Sequence, residues 1–410
     1  MSHDLIIRNA RLRGGDEPMD IAIGGGRIRE IGAAVAGGAE REIDATGGLV
    51  TESFANPHLH LDKVYTLERQ GSAALEAYHG GTMGAAMTAI ELAAGVKEAY
   101  DEEWILPNVR RALRLAARYG NTHIRAFADV DTKAELVGAK ALLRAREEFR
   151  GVVDLQVVAF PQDGVVRDPG AAELVRQAME LGADVVGGIP WIEYTEADEQ
   201  RHIDEMFAIA ADHDADISML VDDAGDPGLR TLEMLAVGAI ARGRTGRCLA
   251  HHARAMALYP EPYFRKLVAL LKRAGVGVVS DPQTGPLHAR VKELLAEGAL
   301  VALGQDDIAD AYYPFGRNNM LEVGFLAVHM LWMTAPPEME QIYDMITVDA
   351  ARAMNVADFG LAVGNPAHLV VLDAGSVYEA LWQHQAPRWV VSHGRVVDPG
   401  RLAGTGEEES

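Results

Sequence analysis

The sequence predicts an α/β chain folded as a (β/α)8 TIM barrel, with a small β-domain formed from both chain termini. Three observations lead there. Eight short, strand-like apolar runs alternate with longer Ala/Leu/Glu/Arg-rich helical stretches. Polar residues gather where those runs stop, and both ends of the chain change to short strands and turns. Such alternation is the pattern of a parallel barrel, whose reactive groups stand at the carboxyl ends of the strands.

Taken in order, the first strands are predicted from Asp4 to Leu12, from Asp20 to Ile31 with Gly24-Gly25-Gly26 as a hairpin turn, and from Arg41 to Asp44. Runs bounded by Gly, Asn and Pro are strand signals. The barrel strands are expected at Val50–His60, Thr122–Val130, Asp154–Pro161, Asp184–Pro190, Ile217–Asp222, Arg247–His252, Val276–Ser280 and Leu300–Gln305. Helices are expected between them at Glu103–Tyr119, Lys133–Phe149, Ala171–Leu181, Asp198–Asp212, Leu229–Ala241 and Pro262–Ala274. Strand texture returns at His368–Leu372 and Arg388–Ser392. The expected organisation is residues 1–54 with 362–403 as a composite β-domain, 55–361 as the barrel and 404–410 as a polar, disordered tail.

At 410 residues, 49% hydrophobic and 24% charged, the chain suits a large soluble barrel plus an accessory module. No uninterrupted apolar stretch reaches the ~18 residues of a membrane span, and the opening Met1-Ser2-His3-Asp4 lacks the features of a signal peptide. A single cysteine, Cys248, excludes an intrachain disulfide and fits a reducing cytoplasm. The net charge of -22 argues against nucleic acid or an anionic membrane as partner.

The run Asn56-Pro-His-Leu-His-Leu-Asp-Lys63 carries the strongest chemical signal. Histidines one residue apart on a strand share a face, so His58 and His60 can bind one transition metal. At the other predicted strand ends stand Gln162 and Asp163, Trp191 and Glu193, Asp222 and Asp223, His251 and His252, Asp281, and Asp306 and Asp307. A divalent ion held by imidazole and carboxylate lowers the pKa of water toward neutrality, which suits metal-assisted hydrolysis. The eighth-strand carboxylate is placed to bind the ion or to take the water's proton. A second acid can pass that proton to a leaving nitrogen. Gln162 offers both a donor and an acceptor to the amide-like edge of a heterocycle.

Over nearly its whole length the chain resembles the cytosine deaminase branch of the amidohydrolase superfamily. The matching stretches are Asn56–Asp62, Leu155–Gln162, Ala183–Pro190, Ala250–Met256, Gly304–Pro314 and Asn319–Val323. The resemblance implies His58, His60 and Asp306 as ligands of one divalent ion, zinc or iron(II). It also implies Gln162 as a contact to the substrate ring, His252 as the group that steadies the attacking hydroxide, and a homo-oligomer acting on a small nitrogen heterocycle.

One segment departs from that pattern. The branch carries a histidine ligand on strand five, followed three residues later by a glutamate that shuttles protons. Here Ser218-Met-Leu-Val-Asp-Asp-Ala224 places Leu220 and Asp223 at those positions. Leucine cannot bind a metal, and aspartate, one methylene shorter, shifts a proton donor by ~1 Å at a site intolerant of misplacement. Three readings follow. A metal held by His58, His60 and Asp306, with His252 or water in the gap, is the principal one. The others are a metal-poor acid/base hydrolase and a non-catalytic subunit. In the principal reading Asp306, His252 and Asp223 are catalytic, and the product is ammonia or an amine. Gln162, Asp307, Trp191 and Lys63 contact the substrate, with Lys63 set against a loop salt bridge and Trp191 against rim packing. His251, alternating with His252, is expected between strand and helix. Asp222 is expected to orient a neighbour, set against binding metal in place of the missing histidine, Cys248 to be a buried hydrophobe, and His123, His213, His288 and His329 to be structural.

Overall fold

The computed structural model describes residues 3–398 except 16, 71–72, 74–75 and 77–82; the expected tail at 404–410 lies outside them. The N-terminal strands are β1 (His3–Ala10), β2 (Met19–Gly24), β3 (Arg27–Gly32), β4 (Ala39–Asp44) and β5 (Val50–Glu52). The barrel strands are β6 (Phe54–His60), β7 (Asn121–Asp129), β8 (Asp154–Phe160), β9 (Val185–Gly188), β10 (Asp216–Val221), β11 (Cys248–His252), β12 (Gly277–Ser280) and β13 (Val301–Leu303). Near the C-terminus come β14 (Leu369–Val371), β15 (Trp389–Ser392) and β16 (Arg395–Val396).

Strands β6 to β13 form one eight-stranded parallel sheet in sequence order. It closes where β6 meets the segment after β13: His60 N donates to Asp306 O (2.8 Å) and Asp306 N donates to His58 O (2.9 Å). The seam of the barrel thus runs through the residues predicted to bind metal. Helices lie between the strands at or within a few residues of the expected positions, among them Glu102–Arg118, Glu196–Asp212 and Glu261–Ala274. Glu102–Arg118 shows why: Asp101 accepts from Glu103 N at its start, and Ile105, Leu106, Val109, Leu113 and Ala116 bury one face at helical spacing.

Two differences from the sequence expectation have physical causes. The run Val50–His60 is two strands, because Val50–Glu52 pairs antiparallel with β14 while Phe54 onward pairs parallel with β7. The termini build two four-stranded sheets, β3-β2-β1-β4 and β16-β15-β14-β5. β5 carries the N-terminal segment into pairing with β14, and Arg27 makes an isolated antiparallel bridge to Pro366 just before it. The sheets share an apolar layer that includes Ile7, Ile21, Ile43, Leu369 and Val391. Gly25 and Gly26, both at positive φ, form the expected hairpin turn. No helix among the described residues is long and apolar enough to cross a membrane.

Candidate active site

The site is assembled at the carboxyl ends of the barrel strands. On β6 the backbone is irregular around Pro57, which cannot donate to the ladder. Asn56 compensates: its Oδ1 accepts from His58 N (3.2 Å) and from Gln305 N (3.1 Å), tying the motif to the eighth strand. Gly304 allows the close approach, since a Cβ there would lie 2.8 Å from His58 Cβ. His252 and Asp306 both adopt positive φ, 68° and 67°, which turns each side chain at its strand end.

The result is convergence on one oxygen. Asp306 Oδ1 lies 2.9 Å from His58 Nε2, 3.8 Å from His60 Nε2 and 4.0 Å from His252 Nε2. Metal bonds of about 2.0–2.2 Å in a tetrahedral shell put ligand atoms roughly 3.3–3.6 Å apart. Ligand atoms of His58, His252 and Asp306, and separately of His60, Asp306 and Asp307, lie within 4.8 Å of one another, so Asp306 is shared by two donor groups that could hold a divalent ion. Burial, followed by like-charged neighbours, holds the His60 imidazole well below its ordinary pKa, so it is a neutral, competent ligand. His58 is also lowered, by burial. Leu220, where a fifth-strand ligand is missing, is part of the cavity wall and pairs in register with His251.

The cavity at the barrel mouth is lined by His60, Gln162, Trp191, Asp223, His252 and Asp307, among others. Burial and then the adjacent Asp306 push the Asp307 carboxyl well above the usual carboxylate range. Its Oδ1 and the indole Nε1 of Trp191 are buried without a hydrogen-bond partner among the described residues. Lys63 is not on the cavity wall. Its ammonium donates to Gln162 Oε1 (2.7 Å) and pairs with Asp129 (3.0 Å). An ammonium has only donors, so Gln162 must present its oxygen to Lys63 and keep its amide N–H groups for another partner.

Asp223 and His252 belong to a charged network that the sequence did not reveal. Arg254, two residues beyond β11, donates to Asp223 Oδ1 (2.5 Å), Asp281 Oδ2 (3.0 Å) and Thr284 Oγ1 (2.7 Å). Asp281 in turn accepts from His252 Nδ1 at 2.8 Å. Burial opposes a charge on His252, yet Asp223 and Asp281 raise its pKa to about 9. The signals for Arg254 were its place two residues after His252 and within the matching stretch Ala250–Met256.

Three strand-end residues act elsewhere, and His251 turns inward. Strand alternation places His251 outside the barrel, but its ring lies inside, 4.5 Å from that of His58 and 5.0 Å from that of Phe127. The positive φ at His252 breaks the alternation, so both histidines of the doublet face inward. Asp222 accepts from Thr231 Oγ1, Leu232 N and Tyr259, and so starts the following helix. Asp163 pairs with Lys97 and Lys133. Glu193 accepts from Val165 N and Arg167 N and pairs with His202. Cys248 is buried, and burial pushes its thiol up to about 12, which leaves it inert at neutral pH.

The amidohydrolase family matches residues 41–398. The chain is 32% identical over 397 residues to N-isopropylammelide isopropyl amidohydrolase of Pseudomonas sp. (strain ADP), covering 96% of this chain and 97% of that protein. It is 28% identical over 400 residues to pterin deaminase of Rhizobium rhizogenes, covering 92% and 87%. The crystal structure of 5-methylcytosine deaminase from Klebsiella pneumoniae, liganded with 5-fluorocytosine, superposes with a TM-score of 0.87 at 32% identity over 99% of this chain and 98% of that one.

Proposed function

The chain belongs to the amidohydrolase family, and from that premise we propose that its barrel mouth hydrolyses a C–N bond of a small nitrogen heterocycle, releasing ammonia or an amine. His58, His60 and Asp306 would hold one divalent ion, zinc or iron(II), with His252 Nε2 within reach. That ion would supply Lewis acidity and ease ionisation of the attacking water.

The protein groups divide the remaining work. Gln162, fixed by Lys63, directs its N–H groups at a carbonyl or ring acceptor, which makes Lys63 a positioning residue. Asp307, held as the acid, and the indole N–H of Trp191 supply further donors to the ring edge. Asp306 takes the proton of the attacking water, and His252 faces the oxygen that remains. Arg254 anchors Oδ1 of Asp223, which leaves Oδ2 facing His252 Nε2 at 3.8 Å. From there Asp223 can carry a proton to the leaving nitrogen. The guanidinium also lies 3.8 Å from Asp306 Oδ2, so it weakens cation binding while fixing the shortened acid.

The observation that carries this reading is the meeting of three imidazole nitrogens around one Asp306 oxygen. Its test is metal analysis of protein purified without chelators, followed by ammonia and amine assays on cytosines, pterins and N-alkylated triazines. We expect at least one ion per chain, one equivalent of which His60→Ala removes, and a hydrolysis that chelation stops, that zinc or ferrous iron restores, and that His60→Ala abolishes. Equal ion content in the wild type and His60→Ala, with no turnover after reconstitution, would overturn it.

A further inference from the structure

A second imidazole cluster lies at the opposite end of the barrel, under the terminal sheets. His123 sits near the start of β7 and pairs in register with Asp154, the first residue of β8. His368 immediately precedes β14, and His393 follows β15. The cluster is four residues down β7 from Phe127, roughly 13 Å at 3.3 Å per residue, so it is separate from the site above.

The side chains face one another. One ligand atom each from His123, Asp154 and His368 fall within 4.8 Å of one another. His123 Nε2 is 3.4 Å from Asp154 Oδ2, and His393 Nε2 is 3.0 Å from the same carboxylate oxygen. The rings of His368 and His393 are 4.5 Å apart, and those of His123 and His368 4.7 Å. Both inner imidazoles are held from behind by hydroxyls: Thr122 Oγ1 lies 2.9 Å from His123 Nδ1, and Ser392 Oγ 3.4 Å from His368 Nδ1. That arrangement assigns each Nδ1 to the protein and leaves Nε2 for the centre, as outer partners do for metal-bound histidines.

We propose that His123, Asp154 and His368, closed on the solvent side by His393, form a second divalent-metal site of the zinc type, which staples the terminal sheet to the base of the barrel. Three imidazoles and one carboxylate suit a tetrahedral borderline ion. Burial, against the pull of Asp154, holds His123 near 4, and burial followed by His123 and His393 holds His368 near 3. His393 is 44% exposed and borders an open surface cleft, which gives an ion a path in. The bound ion would connect positions far apart in the sequence, and its free energy of binding would add to that of folding.

The test uses full-length protein dialysed against zinc alone. His60→Ala protein, altered in the active site, is expected to retain zinc at the second site. Adding His368→Gln or Asp154→Asn to it should remove one equivalent and abolish the zinc-dependent rise in melting temperature. In the otherwise wild-type chain His368→Gln should leave turnover within twofold. Asp154 is a partly exposed position, so its variant tests the proposal even where His368→Gln fails to fold. Equal zinc content with and without these substitutions, or a melting temperature indifferent to zinc in the His60→Ala protein, would overturn it.

Discussion

Replacing Asp281 by asparagine separates the electrostatics of this site from its shape. In the metal-free protein His252 is raised from 6.5 to about 9, against burial, by Asp223 and Asp281. A raised histidine pKa means that folding favours the imidazolium. Its contribution to stability is therefore full below about 6.5 and lost as pH climbs through about 9. The gap is worth about 3 kcal/mol at roughly 1.4 kcal/mol per pH unit. The asparagine amide oxygen would still accept from Nδ1, but without charge, and a neutral hydrogen bond is weaker than a charge-assisted one by about 1–2 kcal/mol. His252 would then depend on Asp223 at 3.8 Å and Asp306 at 4.0 Å. Two assays on chelator-treated protein read this out: an NMR titration of the histidine ring protons, and urea unfolding at pH 6 and pH 10. We expect the His252 titration in Asp281→Asn to fall by about one pH unit, and the stability difference between the two pH values to shrink by about 1–2 kcal/mol. A wild-type His252 that titrates at or below 6.5, or a variant that titrates like the wild type, would refute the reasoning.

Three further outcomes are expected. Lys63→Met releases Gln162 and leaves the buried Asp129 carboxylate with Lys97 alone, at 3.5 Å, at a cost in stability of about 1–3 kcal/mol; the KM should rise, and in a double-mutant cycle with Gln162→Leu the two effects should not add. Strict additivity in that cycle would show that Lys63 does not act through Gln162. Leu220→His supplies an imidazole on the cavity wall opposite the proposed ligands and should slow metal loss to a chelator at least about tenfold, equivalent to ~1.4 kcal/mol; unchanged loss would place Leu220 outside reach of the ion. Gly304→Ala drives a methyl to within 2.8 Å of His58 Cβ and 3.2 Å of Val279 Cγ1. It should cost about 1–3 kcal/mol as overpacking and lower metal content, measured by unfolding and elemental analysis, and full metal retention would count against the seam of the barrel positioning His58.

The parts of this molecule legible in the sequence are those governed by local periodicity. Eight strands emerged at or within a few residues of the expected positions because their apolar runs are short and bounded by turn residues. Asp306 was singled out by the resemblance, whereas His58 and His60 were legible as a pair on one strand face. Arg254 was not, because its partners Asp223 and Asp281 lie 31 and 27 residues away and only closure of the barrel brings them together. The split at Ser53 was equally hidden. Val50–Glu52 and Phe54–His60 read as one apolar run, and only the partners, β14 on one side and β7 on the other, divide it.

His251 shows most clearly why the period-two rule fails at a barrel mouth. The rule assumes extended backbone through the last residue of a strand. Here Asp222, His252 and Asp306, at or just beyond the ends of β10, β11 and β13, take φ values of 49°, 68° and 67°. Each such turn redirects one side chain without disturbing the strand behind it. At β10 the outcome is a helix start, with Asp222 bound to Thr231 and Leu232. At β11 and β13 the same turn brings His252 and Asp306 to within 4.0 Å of each other. Positive φ in residues other than glycine is energetically disfavoured by about 1 kcal/mol or more, so the packing around these strand ends must hold it in place. The capacity to gather ligands at the mouth therefore comes from that departure from the extended conformation, which the chain's hydrophobic pattern does not record.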